Sequence, residues 1–281
     1  MPAAEEVQFR LLKEMRDLEA LVQLELAIWQ LPPLDAAPSA LMVAFIHNGG
    51  LVIGGYHEDR LVALALAFVG RKGERIRLWS HMAGVHPDFR GRGIGQGIKW
   101  AQREFALAAG FTQIAWTYDP LLRGNANFNL RLLAATAQVY HVNHYGEMQD
   151  AINVGLPSDR LEVQWDLRDE RVQALAAGQD VPRHERPAPF LLEKDGHGAP
   201  LANAGVLSEA PAQCRIEIPR DVDQMRQDHP DRALAWRLAL REAMRSAFAA
   251  GYRAQDFVHY EDRCWYVLEQ GGVHAGGGSA D

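Results

Sequence analysis

The chain has 281 residues, 48% of them hydrophobic, and a formal net charge of −7. That length holds one large or two modest domains with a buried core. The negative balance argues against a general nucleic-acid or membrane-surface binder, which needs clustered positive charge to exchange for counterions.

The N-terminus, MPAAEEVQFRLL, has no basic stretch ahead of an apolar run, and no run of about 18 apolar residues occurs, so a cytoplasmic protein with no membrane partner is expected. Cys214 and Cys264 lack metal-ligand spacing and read as reduced thiols. Residues 7–12 open a strand. Asp17 is placed to cap a helix whose apolar positions Leu18, Leu21, Val22, Leu24, Ile28 and Trp29 recur at helical spacing until Pro32 and Pro33. A short helix over 40–47 ends at the break around Gly49. Three extended segments follow, 51–56, 61–69 and 76–85, joined by turns at Glu58-Asp59 and Lys72-Gly73, and read as an antiparallel meander.

Residues 95–109 carry helix formers up to Gly110, a suitable C-terminal cap. A strand over 112–118, a loop over 120–125, a helix from about 127 to 140 and a strand over 161–167 complete the first part. From 168 to 189 the composition turns to charge, alanine and proline, as in a surface connector. Beyond it the pattern predicts strands over 190–193 and 215–218, a long helix over 232–250, and strands over 256–260 and 264–269. The expected organisation is a domain over 1–167, an α/β extension over 168–270 and a disordered tail over 271–281. "REFALAAGFTQIAWTYD" and "REAMRSAFAAGYRAQDFVHYE" each read as a helix, a glycine cap and a strand, which raises the alternatives of a degenerate duplication or a chance recurrence.

One stretch carries chemistry: "GVHPDFRGRGIGQGIKWAQRE", residues 84–104. The nucleotide P-loop needs a serine or threonine after its lysine, but Lys99 is followed by Trp100. The dinucleotide fingerprint needs a third glycine where Gln96 or Ile98 stands. What fits is R-x-x-G-x-G over 90–95, directly after a strand and at the start of a helix. Glycines there let successive amide N–H groups converge on one anion, the helix N-terminus adds positive charge, and a pyrophosphate is the natural guest. Arg90 and Arg92 stand ready to add charge-assisted bonds.

With those residues in view, "VHPDFRGRGIG" resembles the acyl-coenzyme A site of the GNAT superfamily of N-acetyltransferases, and the element order to about residue 167 is similar to that fold. The resemblance implies an α/β (α+β) protein with a mixed, mostly antiparallel twisted sheet flanked by helices. It implies that the backbone at Gly91, Arg92, Gly93, Ile94, Gly95 and Gln96 holds the pyrophosphate. Gly84 and Val85 would then meet the pantetheine arm and acyl carbonyl, and Asn125 matches the asparagine near the pantetheine. "WTYDPLLRGNANFNL", "YGEMQDAINVGLPSDRLEVQWDL" and "EIPRD…AWRLALREA…GYRAQDF" further resemble a bacterial group of acetyltransferases, some linked to N-succinylation of amino acids.

Acyl transfer from a thioester to an amine needs a base, a polarised carbonyl and an acid for the thiolate, and no metal. His81 lies four residues before Val85 and so on the same side of the strand, either as that base or as a hydrogen-bonded sheet histidine. Glu74 and Glu104 sit too far away or on a helix. Where the superfamily commonly has a tyrosine as acid, this sequence has Leu130, so Tyr145 is the substitute and Tyr140 the next choice. His141 and His144 have the spacing of a metal pair without a third ligand. Arg123, Arg131 and Arg160 are candidates for an acceptor carboxylate or plain surface arginines. Trp79, Trp116 and Phe128 line an apolar pocket or form core.

The expected activity is acyl-coenzyme A-dependent transfer of an acetyl or related acyl group, succinyl included, to the amine of a small molecule such as an amino acid. A non-catalytic acyl-coenzyme A sensor and a protein N-acetyltransferase are the alternatives, and the family-level expectation for assembly is a homodimer.

Overall fold

The computed structural model describes residues 6–30, 32–146, 155–183 and 186–271. The expected tail, from 272 onward, lies outside the described residues. Packing divides the chain into two compact units, one made of 1–116 and 164–179, the other of 117–163 and 180–281.

The first unit starts with β1 (Val7–Leu11), α1 (Met15–Trp29) and α2 (Ser39–His47), then the meander β2 (Leu51–His57), β3 (Arg60–Lys72) and β4 (Arg75–Val85). After it come α3 (Ile94–Ala108) and the start of β5 (Gln113–Tyr118). The strands lie in sequence order, antiparallel from β1 to β4, with β5 parallel to β4. β2 and β3 are apolar on both faces because helices cover both. Val52, Leu64 and Leu66 meet Leu18, Leu21, Leu24 and Ile28 of α1 and Met42 of α2. Ile53, Ala63 and Ala65 face the other way, onto Phe89 and Ile94 and Ile98 of α3.

Helix α1 begins at Met15, so Glu14 and not Asp17 holds the N-cap position. Asp17 sits in the first turn instead, where a carboxylate opposes the helix dipole, 4.0 Å from Arg10. The helix stops before the prolines because Gln30 turns left-handed at φ 54° and donates its N–H to the Leu26 carbonyl at 2.8 Å. Its Glu25, fully buried, accepts the Ala37 N–H at 3.1 and 3.2 Å and ties the α1–α2 connection to the helix.

The second unit takes the rest of β5, then α4 (Arg123–Ala126), a π-helical segment (Asn127–Leu132) and β6 (Thr136–His141). β7 (Arg160–Asp166) ends in the first unit, which also holds α5 (Glu170–Ala176). There follow β8 (Phe190–Lys194), β9 (Pro200–Ala202), α6 (Gly205–Ser208), β10 (Gln213–Ile218), α7 (Val222–Asp228), α8 (Pro230–Ala249), β11 (Tyr252–His259) and β12 (Cys264–Gln270). Its strand order is β6-β11-β12-β10-β8-β9. Helix α8 lays Arg237 and Arg241, one turn apart, onto two carboxylates. Arg237, 1% exposed, pairs with Asp119 at 2.5 Å, and Arg241 makes a two-pronged contact with Asp159 at 2.9 and 3.0 Å.

Three sequence expectations give way here. The helix expected over 127–140 ends at Leu132, and Thr136–His141 is a strand. Leu133 N–H reaches back five residues to Phe128 at 3.1 Å, and Ala134 takes φ 52°, which breaks the helix. The alanines there favour a helix, but Thr136, Val139 and Tyr140 belong on a pleated surface. The connector expected over 168–189 contains α5, capped by the Asp169 carboxylate on the Arg171 N–H. The suspected duplication has no topological counterpart. β4 and β5 are direct parallel neighbours, whereas β12 lies between β10 and β11, antiparallel to both. An alanine-rich helix with a glycine cap recurs because it is a generic way to return the chain to a sheet.

Candidate acyl-transfer site

Strand β4 holds the first part of the candidate site. Leu66 is opposite Met82 and Ala67 is opposite Ser80, so His81 is the extra residue of a β-bulge. Bulges re-aim side chains and increase the local bend. Met82 and Gly84 face α1, and Val85 packs toward α3. The bulge breaks the alternation that the sequence expected to put His81 beside Val85: its ring neighbour Phe68 packs on Phe45 of α2, so His81 lies on the face of Met82 instead. Its side chain is exposed, its ring 6.1 Å from that of Phe68. Surrounding protein lowers the imidazole pKa by desolvation, although the ring keeps contact with solvent.

β4 parts from β5 after Trp79, because their pairing covers Leu78 with Ile114 and Trp79 with Ala115. The His86 N–H is bonded to Val62 of β3 at 2.8 Å. Successive N–H groups on a strand alternate in direction, so the Val85 N–H points away from β3 toward the opened edge. Gly84 is required by close approach. A Cβ there would stand 3.0 Å from Ile28 and from two atoms of the Trp29 indole.

After Val85 the chain makes a 3-10 turn (Pro87–Phe89) and enters the glycine loop. Gly91 and Gly93 have φ of 75° and 76°, the left-handed region that glycine alone enters freely. Gly93 is the N-cap of α3. The N–H groups of Gln96 and Gly97 both return to the Gly93 carbonyl at 3.0 Å. Among the described residues the N–H groups of Gly91, Arg92, Gly93, Ile94 and Gly95 bond to no backbone carbonyl. Free amides in series at a helix start are the kind of donors that an anion takes. Gly97 serves another purpose: a Cβ there would meet the Phe9 ring at 2.9 Å, so the helix lies directly on β1.

The arginines divide. Arg90 donates from Nε to the Val85 carbonyl at 3.3 Å and from Nη2 to the Ile28 carbonyl at 3.1 Å, bracing strand end, loop and α1. Arg92 lies over the Phe89 ring at 5.1 Å. Sequence reasoning missed Lys99, six residues into the same loop-helix unit. It is 3% exposed, with Nζ donating to Gln102 Oε1 at 2.6 Å and to Ser80 Oγ at 3.2 Å and standing 3.7 Å over the Trp116 ring. Desolvation pushes its pKa down to about 7. The signal was its helical register: Ile94, Ile98 and Ala101 set the buried face, and Lys99 falls within it.

The remaining candidates lie in the second unit. Asn125 is exposed on α4. Tyr145, 53% exposed, has its hydroxyl 3.5 Å from Thr117 Oγ1 and its ring against His144 and under the Arg160 guanidinium. The turn that carries it is tied to Ser158, which accepts the Tyr145 N–H at 3.0 Å. Tyr140 donates to Asp159 Oδ2 at 2.9 Å, and burial followed by that carboxylate holds its pKa far above the usual phenol range. Leu130 is fully buried. His141 pairs with Glu162 at 2.9 Å, and among the described residues no group of three His, Cys, Asp or Glu side chains could hold a metal ion. Arg131 is engaged with Asp180, Asp256 and the Val181 carbonyl, and Arg160 with the Asp159 carbonyl. Trp79 is half-buried on β4, and Trp116 packs against Trp165 in the first unit.

Residues 17–128 match the family model described as Acetyltransferase (GNAT) family. That segment is similar to the acetyltransferase domains of this family, and it spans about two fifths of the chain. Similar solved structures include yncA, an acetyltransferase of Salmonella typhimurium with its cofactor acetyl-CoA, at 16% identity over 59% of this chain and 96% of that one, TM-score 0.47. The ribosomal-protein-S18-alanine N-acetyltransferase of Escherichia coli is similar at 12% identity over 64% and 99%, TM-score 0.46. An aminoglycoside acetyltransferase from an uncultured soil metagenomic sample is similar at 16% identity over 44% and 85%, TM-score 0.39. No curated protein matches the chain.

Proposed function

We propose that the protein moves an acetyl or related acyl group, succinyl included, from acyl-coenzyme A to the amine of a small molecule such as an amino acid, by direct attack in a ternary complex. The observation that supports it most is the run of unbonded amides from Gly91 to Gly95 at the N-terminus of α3, beside a strand end whose Val85 N–H points outward. The residues fit the coenzyme. Gly91 and Gly93 supply the left-handed backbone, and no atom lies within 4 Å of where a Gly91 Cβ would be, so the loop is open to a guest.

In this reading the amides of residues 91–95 hold the pyrophosphate, with Gln96 closing the first turn behind them. Arg92 adds charge, while Arg90 keeps the loop in shape. Gly84 lets α1 approach, Val85 N–H polarises the thioester carbonyl, and Asn125 bonds the pantetheine. His81 takes the proton of the attacking amine. Its lowered pKa suits the role, because the imidazole is then neutral at pH 7. As the C–N bond forms and the C–S bond breaks, Tyr145 gives its proton to the departing thiolate. Residues 1–167 serve as the acyltransferase domain, and 168–270 as an extension for acceptor binding or for dimerisation.

Incubating the purified protein with acetyl- and succinyl-coenzyme A and a panel of amino acids and other small amines should release thiol with at least one pair. Silence across the panel would remove the proposal. Burial of Leu130, in the place of the family's tyrosine, favours a second reading, an acyl-coenzyme A sensor. Tight coenzyme binding, with no turnover that depends on His81 or Tyr145, would select it.

A further inference from the structure

A recess of about 290 Å³ in the second unit is lined by residues 121–125 and 220–223, which bring two arginines, Arg123 and Arg220, and two acids, Asp221 and Asp223, to its wall. Its two acids are engaged with their own helix. The Asp221 carboxylate caps α7 through the Gln224 N–H at 2.9 Å, and Asp223 pairs with Arg226 at 3.5 Å. Among the described residues Arg123 and Arg220 have neither a carboxylate partner nor a side-chain hydrogen bond. Buried Leu121 and Val222 give the recess an apolar floor.

The surroundings carry charges of both signs. Arg220 follows the end of β10, beside which Cys264 donates to the Ile218 carbonyl at 3.4 Å, and Cys264 is paired across the hairpin with His259. The His259 imidazole is pushed down by desolvation and then by Arg123 and Arg183. Burial raises the Cys264 thiol to about 12, with Glu217 adding to it and Arg123, Lys194 and Arg220 pulling the other way. With Asp221 and Asp223 committed to α7, the guanidinium groups of Arg123 and Arg220 are the charges of the lining left unanswered, and such groups suit a phosphate or carboxylate.

We propose that Arg123 and Arg220 form an anion subsite for one end of the acyl-coenzyme A substrate, with Arg220 contributed by the part of the chain beyond the segment that matches the family model. The inference rests on the coenzyme reading, through Asn125, which lines the same recess. Pockets for whole small ligands hold about 300–1,000 Å³, so this one takes an end rather than the entire coenzyme. The group is anionic and terminal: the 3′-phosphate of the adenosine, or the free carboxylate of a dicarboxylic acyl chain.

The test is calorimetric titration of the wild type, Arg123→Gln, Arg220→Gln and the surface control Arg245→Gln with coenzyme A, 3′-dephospho-coenzyme A, acetyl-coenzyme A and succinyl-coenzyme A, after melting curves confirm folding. Either recess substitution should weaken binding of the preferred ligand tenfold or more and flatten its salt dependence, while Arg245→Gln leaves it unchanged. If the anion is the 3′-phosphate, the wild type binds the dephospho form as weakly as the variants bind coenzyme A. If it is the acyl carboxylate, the variants lose a preference for succinyl- over acetyl-coenzyme A. Equal affinities in the wild type and both recess variants, for all four ligands, would overturn the subsite and leave the coenzyme reading intact. A wild type that binds none of the four overturns both.

Discussion

At the scale of single residues, desolvation lowers the pKa of two groups in different settings. Lys99 is held at a pKa of about 7, well below its unfolded value near 10.4, so the folded state disfavours its charge. The destabilisation is complete below about pH 7. It is relieved as pH rises, because the unfolded chain then binds more protons than the folded one. Stability should therefore climb from pH 7 to 8.5, at most about 1.4 kcal/mol per unit from this group. Above that, Cys214 and Cys264, both raised to about 12, oppose the trend. Melting temperatures of Lys99→Met should rise less with pH than those of the wild type, and parallel curves would show that the lysine is charged throughout. His81 titrates in the other setting, at an exposed bulge. For a productive acyl and amine pair, kcat/KM should fall as pH drops through a pKa below the ordinary 6.5 of histidine. His81→Ala should lose that limb and about 10²–10⁴ in rate, the usual range for a general base. An unaltered pH profile in the variant would assign the proton transfer to another group.

At the scale of elements, the loop and α3 answer to separate demands that the sequence presents as one run of glycines. Gly93 is conformational, and Gly97 is a matter of packing. Gly93→Val forces a β-branched residue to φ 76°, which is strained, and its side chain crowds the amides. It should abolish coenzyme binding by calorimetry while the far-ultraviolet spectrum stays intact, and retained affinity would move the site elsewhere. Gly97→Ala brings a methyl within 2.9 Å of the Phe9 ring, an overpacking that typically costs about 1–3 kcal/mol. Its cost should appear in urea unfolding with little change in coenzyme affinity. The boundaries of β2 to β5 and of α3 were legible in the sequence because alternation, turns and a glycine cap all agree there. β6 was not, since local alanine propensity and a pleated burial pattern conflict over 133–141 and packing decides between them.

At the scale of the molecule, the chain enters and leaves each unit inside strands, since β5 and β7 are each divided between the two. The second unit needs residues 117–163 as well as 180–271; β6 pairs with β11, and Asp119 and Asp159 answer the arginines of α8. A fragment of residues 1–167 should therefore fail to fold cooperatively in a thermal melt and should elute as an expanded or aggregated species. A sharp transition in the fragment would show that 117–163 stands without α8. Within the full chain, Arg237→Met leaves the Asp119 carboxylate without its closest partner. Breaking a buried pair from one side typically costs about 3–5 kcal/mol, and a loss under 1 kcal/mol would mean that Arg160, 3.9 Å from Asp119, compensates.

The sequence by itself determined the meander, the glycine loop and its helix, and with them the run of amides proposed to hold an anion, because those features are set by turn chemistry and by spacing between near neighbours in the chain. Only the tertiary structure decided that Arg90 braces the loop rather than standing free, that His81 is the extra residue of a bulge, that Tyr140 is bound to Asp159 and Tyr145 is not, and that Arg123 and Arg220 meet at one recess. Each of these depends on partners distant in the chain, and a side chain's charge, exposure and direction are fixed by what packs against it.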